Sequence, residues 1–490
     1  MSSKTPVHLA LVGTFLLALP AQAAVTGPIS GGEHGRPFTS ATFDLAPYGY
    51  VEEEFFFDGE AVTYGSAGGR ALTINGRWRT VPTGSLPFKS RLLVRRPADP
   101  ALFNGTVLVE WMNVTGGYDI DAVWARVSSE ALRSGYAWVG VSAQRAAVNG
   151  PPVLAGVSQP LVDWDPGRYG SLLIPDDAAS YDVFAQGAAL VGPDRVGTPD
   201  PLGGLPVRRV LAIGASQSAH RLASYIDGVH HHSPVVDGYL IVGRFGRGAS
   251  LATGVDPPNP LRIRTDLDVP VFTVNSESEA LAHFRARQPD TDRLRYWEVA
   301  AAAHQDTYVD AVIDAQLRRD LDLLLPPCDP PANSMPFLQY VLNAALDHLN
   351  RWNPDAVASP VGSLAPDGAR RAIASRHASG PPSLPLIAVS GNPPEIERDA
   401  YGNARGGIRL PQLVAATAQY GPVGSPEALR CDLRGFTLPF SDEDLAELYP
   451  DHRVYVNRVR AATLAAERAG FLLRPDGEEI RREAVSAPIP

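Results

Sequence analysis

The sequence predicts an α/β protein, with a mostly parallel central sheet flanked by helices and a C-terminal extension of helices and loops. Two observations predict it. From about Ser90 to His304, short apolar runs alternate with stretches of helical spacing, the order that builds a parallel sheet through right-handed crossovers. After about Leu325 that alternation gives way to amphipathic helices and long Pro- and Gly-rich loops.

The elements follow in order. "SRLLVRRP" and "GTVLVEWM" read as strands, the second ending at Asn113. "DAVWARVSSEALRSG" has helical spacing and a glycine stop, and "YAWVGVSA" is the next strand. Beyond "DWDPGRYGSL" a helix is expected near Tyr181–Leu190. "VRRVLAIGA" is a strand running into the helix "SAHRLASYI". "VVDGYLIVG" and "VPVFTVN" are strands separated by the loop Arg244–Pro260, and "RLRYWEVA" is the last strand before His304. In the extension, "PFLQYVLNAALDHLNRW" is an amphipathic helix and "DEDLAELYPDHRVYVNRVRAATLAAERAG" is helical again. The chain is expected to divide into a leader (1–23), a core that includes N-terminal strands (24–327), and C-terminal helices and loops packed on that core (328–490).

Composition removes several function classes. A net charge of −10 with no block of basic residues argues against a nucleic-acid partner or an anionic membrane surface. Lys4 and Lys89 are the only lysines, so 41 of the 43 basic residues are arginine. Arginine keeps its proton and forms no Schiff base, which argues against pyridoxal chemistry. No glycine-rich phosphate loop ending in Lys and Ser or Thr is present. Neither cysteine has a His or Cys at metal-ligand spacing, and His230-His231-His232 lack acidic partners and read as a solvated loop. No cofactor or metal is expected.

"MSSKTPVHLALVGTFLLALPAQA" carries one cation, an apolar stretch from Leu9 to Leu19 and an A-x-A cleavage signal, Ala21-Gln22-Ala23. It reads as a secretory leader, too short to span a bilayer, and no later segment approaches the roughly 20 apolar residues that spanning needs. The expected product is exported, to the periplasm or beyond. In such an oxidising compartment Cys328 and Cys431 are candidates for a disulfide, the alternative being two unpaired buried thiols.

The chemistry begins at "GASQS". A strand–turn–helix junction with small residues around a serine is a G-x-S-x-G nucleophile elbow in all but its last place, where Ser218 stands for glycine. The alternative is an ordinary serine at a helix N-cap. The partners favour the elbow, because they come in the order Ser, then acid, then His. After "VPVFTVN" the chain reads Ser276-Glu277-Ser278-Glu279, and after "RLRYWEVA" it reads Ala301-Ala302-Ala303-His304. Ser216 is then the nucleophile, His304 its base, and Glu279 the acid that orients the imidazole, with Glu277 as the alternative acid. The backbone N–H of Gln217 is one expected oxyanion donor. Asn113 or Val114, in the turn "NVTGG", is expected to supply the other. His220, one turn after Ser216, reads as a helix-surface residue.

On these stretches the chain resembles a known family, the secreted bacterial "alpha/beta hydrolase domain-containing" proteins, a divergent branch of the α/β-hydrolase superfamily. The matching segments are "GTVLVEWMNVTGG", "DWDPGRYGSL", "GASQSAHRLASYI", "VPVFTVNSESE", "RLRYWEVAAAAHQDTY", "DAYGNARGGIRLP" and "LYPDHRVYV". The resemblance implies an α/β-hydrolase fold with Ser216 as nucleophile, His304 as base and an acid among "SESE". It also implies that "DAYGNARGGIRLP" belongs to the same domain, where Asn403, Arg405 or Arg409 either orient substrate or brace neighbouring loops. Two departures stand out: His220 where the family more often has a small residue, and "AAAAH" in place of a glycine-containing turn.

The expected function is that of a secreted serine hydrolase cleaving carboxylic esters, small or polymeric, through an acyl-enzyme. Its rivals are an acyltransferase using the same three residues and a catalytically silent binding protein that keeps the fold.

Overall fold

The computed structural model describes residues 23–151, 158–335, 337–352, 380–384, 386–425 and 430–489. The leader therefore lies outside the described residues except for Ala23. Helices of seven residues or more are numbered below.

One nine-stranded sheet organises the chain. Its strands are β1 (Ala24–Thr26), β2 (Tyr50–Ser66), β3 (Thr80–Pro97), β4 (Thr106–Trp111), β5 (Ala137–Val141), β6 (Arg209–Ala215), β7 (Gly238–Val242), β8 (Val271–Ser276) and β9 (Leu294–Val299), in spatial order β1-β2-β3-β5-β4-β6-β7-β8-β9. The pairs β1/β2, β2/β3 and β3/β5 are antiparallel, and every pair from β5 to β9 is parallel. Every residue of β4 to β8 is buried, as expected of parallel strands covered on both faces.

Alternate side chains of these strands feed two cores. Leu108, Trp138, Leu211, Ile213, Leu240, Phe272 and Trp297 face α1 (Trp124–Arg133), α5 (Thr307–Leu321) and α6 (Phe337–Arg351). Val107, Trp111, Val139, Ala212, Ile241 and Val271 face α2 (Ser180–Ala189) and α3 (Gln217–Gly228). α6 crosses α1 and packs against β7, β8 and β9, so the extension contributes to the same core. Backbone bonds of 2.8 Å from Ile408 to Glu298 and 3.0 Å from Ala300 to Ile408 add one more rung beyond β9. Three further helices follow: α7 (Asp442–Leu448), α8 (His452–Ala469) and α9 (Arg474–Ser486). A break at Pro450–Asp451 splits the long helical stretch expected there, and Asp451 caps α8 through Val454 N–H.

The N-terminal hairpin is longer than the motif "SRLLVRRP" implies, because its buried face carries charges. Arg91 is fully buried and pairs with Glu54 at 3.2 Å and Asp119 at 2.8 Å. Arg95 pairs with Asp121 at 2.6 Å and Glu52 at 2.7 Å. "DWDPGRYGSL" completes this network: Arg168 reaches Glu54 at 2.6 Å and the Tyr169 hydroxyl donates to the same carboxylate at 2.8 Å. An alternating apolar pattern is absent where ion pairs fill the inward positions.

Cys328 and Cys431 form a disulfide, with Cα atoms 5.6 Å apart. Of the three consecutive histidines, His230 is not solvated but buried, its Nδ1 2.7 Å from the Tyr239 hydroxyl.

Candidate active site

β6 ends at Ala215 and α3 begins at Gln217, leaving Ser216 alone in the bend with φ 58° and ψ −114°. A non-glycine residue rarely occupies positive φ, and such strain persists only where its surroundings enforce it. Here the Ser216 N–H donates to Val242 O at 2.9 Å, tying the bend to the end of β7. A methyl group on Gly214 would lie 2.9 Å from Leu222 Cδ1 and 3.2 Å from Ser218 Oγ, so strand and helix approach only because that position has no side chain. Ser218, in place of the second glycine, turns its hydroxyl inward. It accepts from Ala215 N–H and donates to Ala215 O, both at 2.9 Å. The departure from the motif thus has its own hydrogen bonds. Ser216 itself is only half-buried.

Both "SESE" carboxylates are buried rather than solvated, in the first turn of α4 (Glu277–His283). Ser276 caps that helix, and Glu279 returns the interaction by accepting from Ser276 N–H at 2.7 Å and Ser276 Oγ at 2.8 Å. The other oxygen of Glu279 lies 2.5 Å from His304 Nδ1. A carboxylate only accepts, so Nδ1 carries the proton and Nε2 is left as the basic nitrogen. The histidine backbone is held as well: His304 N–H donates to Ser278 Oγ at 2.8 Å, and His304 O accepts from the buried Arg126 guanidinium at 2.8 Å.

Glu277 has different partners. It accepts from Ala301 N–H at 2.7 Å and pairs with Arg398 at 2.9 Å. Burial pushes its carboxyl pKa up, opposed by the Arg398 cation. The acid in contact with the imidazole is Glu279.

Ser216 and His304 flank the same strand end. Ser216 is bonded to Val242, and a methyl on the next residue, Gly243, would lie 3.0 Å from His304 Cε1. Phe245, further along that loop, packs its ring 5.2 Å from His304 and 6.3 Å from His220, centroid to centroid. His220 is buried rather than on the helix surface, because this loop folds over it and Ala249 N–H bonds its carbonyl at 3.2 Å. Burial and the nearby Arg247 and Arg244 push its pKa down to about 3, so its ring is neutral.

The "NVTGG" turn lies against the elbow. Asn113 and Ile120 exchange backbone hydrogen bonds of 2.9 Å that close it. The Asn113 amide donates to Ala215 O at 2.8 Å and accepts from Thr115 N–H at 2.8 Å, so its role is to fasten the turn to the elbow. Val114 N–H points at the Gln217 side-chain oxygen, 3.3 Å away. The Gln217 amide nitrogen donates in turn to Gln144, which also accepts from Trp111. The Gln217 backbone N–H belongs to the first turn of α3, where helix donors have no intrahelical partner.

In the Asp399–Leu410 loop, the bracing alternative describes Asn403 and Arg409. Asn403 is buried, its amide bonded to Ala418 O and Tyr420 N–H, while Arg409 holds Asp399 at 2.8 Å and Ala404 O. Arg405 is exposed, its backbone paired with Ala388 and Glu397. Two neighbouring contacts tie this region to the site: Arg398, just before the loop, pairs with Glu277, and Ile408 within it bonds Ala300.

A model of the family described as "Alpha/beta hydrolase domain" matches residues 25–482. The chain belongs to that family. The match spans both the sheet and the C-terminal extension of this alpha/beta hydrolase. No match is found among curated proteins. Solved structures similar to part of the chain include fungal esterases from Rhizomucor miehei, 13% identical over 53% of this chain and 77% of theirs, TM-score 0.28. Brefeldin A esterase, a bacterial homologue of human hormone sensitive lipase, is 12% identical over 57% of this chain and 78% of its own, TM-score 0.29. Thermogutta terrifontis esterase 2 is 13% identical over 43% and 77%, TM-score 0.25.

Proposed function

We propose that the chain is an exported serine hydrolase that cleaves carboxylic esters through an acyl-enzyme. The observation that carries this reading is the His304 Nδ1–Glu279 contact of 2.5 Å, set beside a serine held at φ 58° in a strand–helix elbow. His304 Nε2 takes the Ser216 proton as Oγ attacks the ester carbonyl, then gives it to the departing alkoxide. Water, deprotonated by His304, attacks the acyl group, and the proton returns to Ser216. Glu279 keeps the imidazole in the tautomer this requires and stabilises the imidazolium. The backbone N–H groups of Gln217 and Val114 receive the oxyanion, which takes the place of the Gln217 side-chain oxygen at Val114. Arg405 is the remaining candidate for orienting substrate from the Asp399–Leu410 loop. Export is supported by the leader sequence and by the disulfide.

Rapid mixing with a p-nitrophenyl ester tests the reading. It predicts a burst of nitrophenol stoichiometric with protein, followed by slower steady release, and neither phase in Ser216→Ala. Turnover that survives in Ser216→Ala refutes it.

A further inference from the structure

Ala301 stands three residues before His304 at φ 64°, left-handed backbone that glycine adopts freely and alanine does not. Both of its peptide groups are gripped by buried side chains. Its N–H donates to Glu277 at 2.7 Å, and its carbonyl accepts from the Asn333 amide at 2.8 Å. Asn333 is fully buried and bonded on every side: its oxygen accepts from Met335 N–H at 3.1 Å, its N–H donates to Arg434 O at 2.9 Å, and its carbonyl accepts from Thr307 N–H at 2.9 Å. Glu277 is itself anchored, accepting at one oxygen from Ala301 and paired at the other with Arg398. The strain is therefore over-determined from two directions, by α4 and by the C-terminal segment.

We infer that Asn333 and Glu277 are positioning residues for His304, clamping Ala301 in a conformation that sets where the imidazole stands. The inference rests on His304 being the base. The polyalanine turn then makes sense: a side chain at 301 stiffens the turn, and the clamp holds it in the rarer conformation. Asn333 never touches substrate in this scheme. It acts only through the backbone of Ala301.

The clamp makes a sharp prediction, because glycine at 301 needs no holding. Asn333→Ala should lower kcat for a p-nitrophenyl ester by about tenfold to a hundredfold with KM within about twofold. Ala301→Gly alone should stay within about twofold of the parent, and Asn333→Ala/Ala301→Gly should recover to within about threefold. The denaturation midpoint should show the same non-additivity, the second substitution offsetting much of what the first removes. Asn333→Leu, which keeps the bulk and loses the donor, takes the same tests if Asn333→Ala does not fold. Parent-like kcat in folded Asn333→Ala, or no recovery on adding Ala301→Gly, overturns the clamp. A parent protein with no Ser216-dependent turnover fails the functional reading instead, and the midpoint cycle still decides whether the clamp exists.

Discussion

Glu277 and Glu279 stand two residues apart in the first turn of one helix, yet only Glu279 reaches the imidazole of His304, at 2.5 Å. Glu277 faces Ala301 N–H and the Arg398 guanidinium. Both carboxylates sit at a helix N-terminus, where the peptide dipoles favour negative charge.

This division predicts unequal losses. Glu279→Gln should lower kcat by about 10²–10⁴-fold, since the neutral amide no longer secures the required tautomer. Glu277→Gln keeps an acceptor for Ala301 and should cost less than about tenfold in kcat. Steady-state kinetics on both purified variants checks it, and equal losses would contradict the assignment of the acid.

His220 and His283 should withdraw stability as the medium becomes acidic. Burial and neighbouring arginines hold His220 at a pKa of about 3, and burial with Arg244 holds His283 at about 3, against an ordinary value of 6.5. Between pH 6.5 and 3 the unfolded chain binds protons that the folded chain does not. Their contribution to unfolding free energy is therefore fully present above pH 6.5 and declines below it, by up to about 1.4 kcal/mol per pH unit for each histidine. Glu110 and Glu130, whose carboxyls burial pushes up to about 8 and about 7, act in the opposite sense. Denaturant titrations of the parent and His220→Gln at pH 7, 6, 5 and 4 should show this contribution as a difference, the parent losing more stability on acidification than the variant.

The disulfide links Cys328 to Cys431, 103 positions apart in the chain. Removing a cross-link of that span frees the unfolded chain, and Cys328→Ser/Cys431→Ser should cost about 2–5 kcal/mol of unfolding free energy. Equilibrium unfolding of parent and double variant measures it directly.

The order of the candidate site was legible because each candidate residue follows an apolar run at the C-terminal edge of the sheet: Ser216 after β6, Glu279 after β8, His304 after β9. The choice between Glu277 and Glu279 had a local signal, the capping box that Ser276 and Glu279 form three residues apart. Asn333 and Arg398 had none. Their partners lie 32 and 121 positions away in the chain, and periodicity carries no information over such distances. β2 escaped notice for a different reason. Its inward Glu54 is satisfied by Arg91, Arg168 and Tyr169, so a charged residue holds a buried position and breaks the apolar pattern there. His220 misleads in the opposite sense, since the loop carrying Phe245 buries a helix face that the helix alone would leave exposed.

The most direct measurement is covalent labelling with a fluorophosphonate, followed by peptide mapping. One adduct per chain is expected, on Ser216, formed at a rate that collapses in His304→Ala. Labelling of some other residue, or none at neutral and mildly alkaline pH, would contradict it.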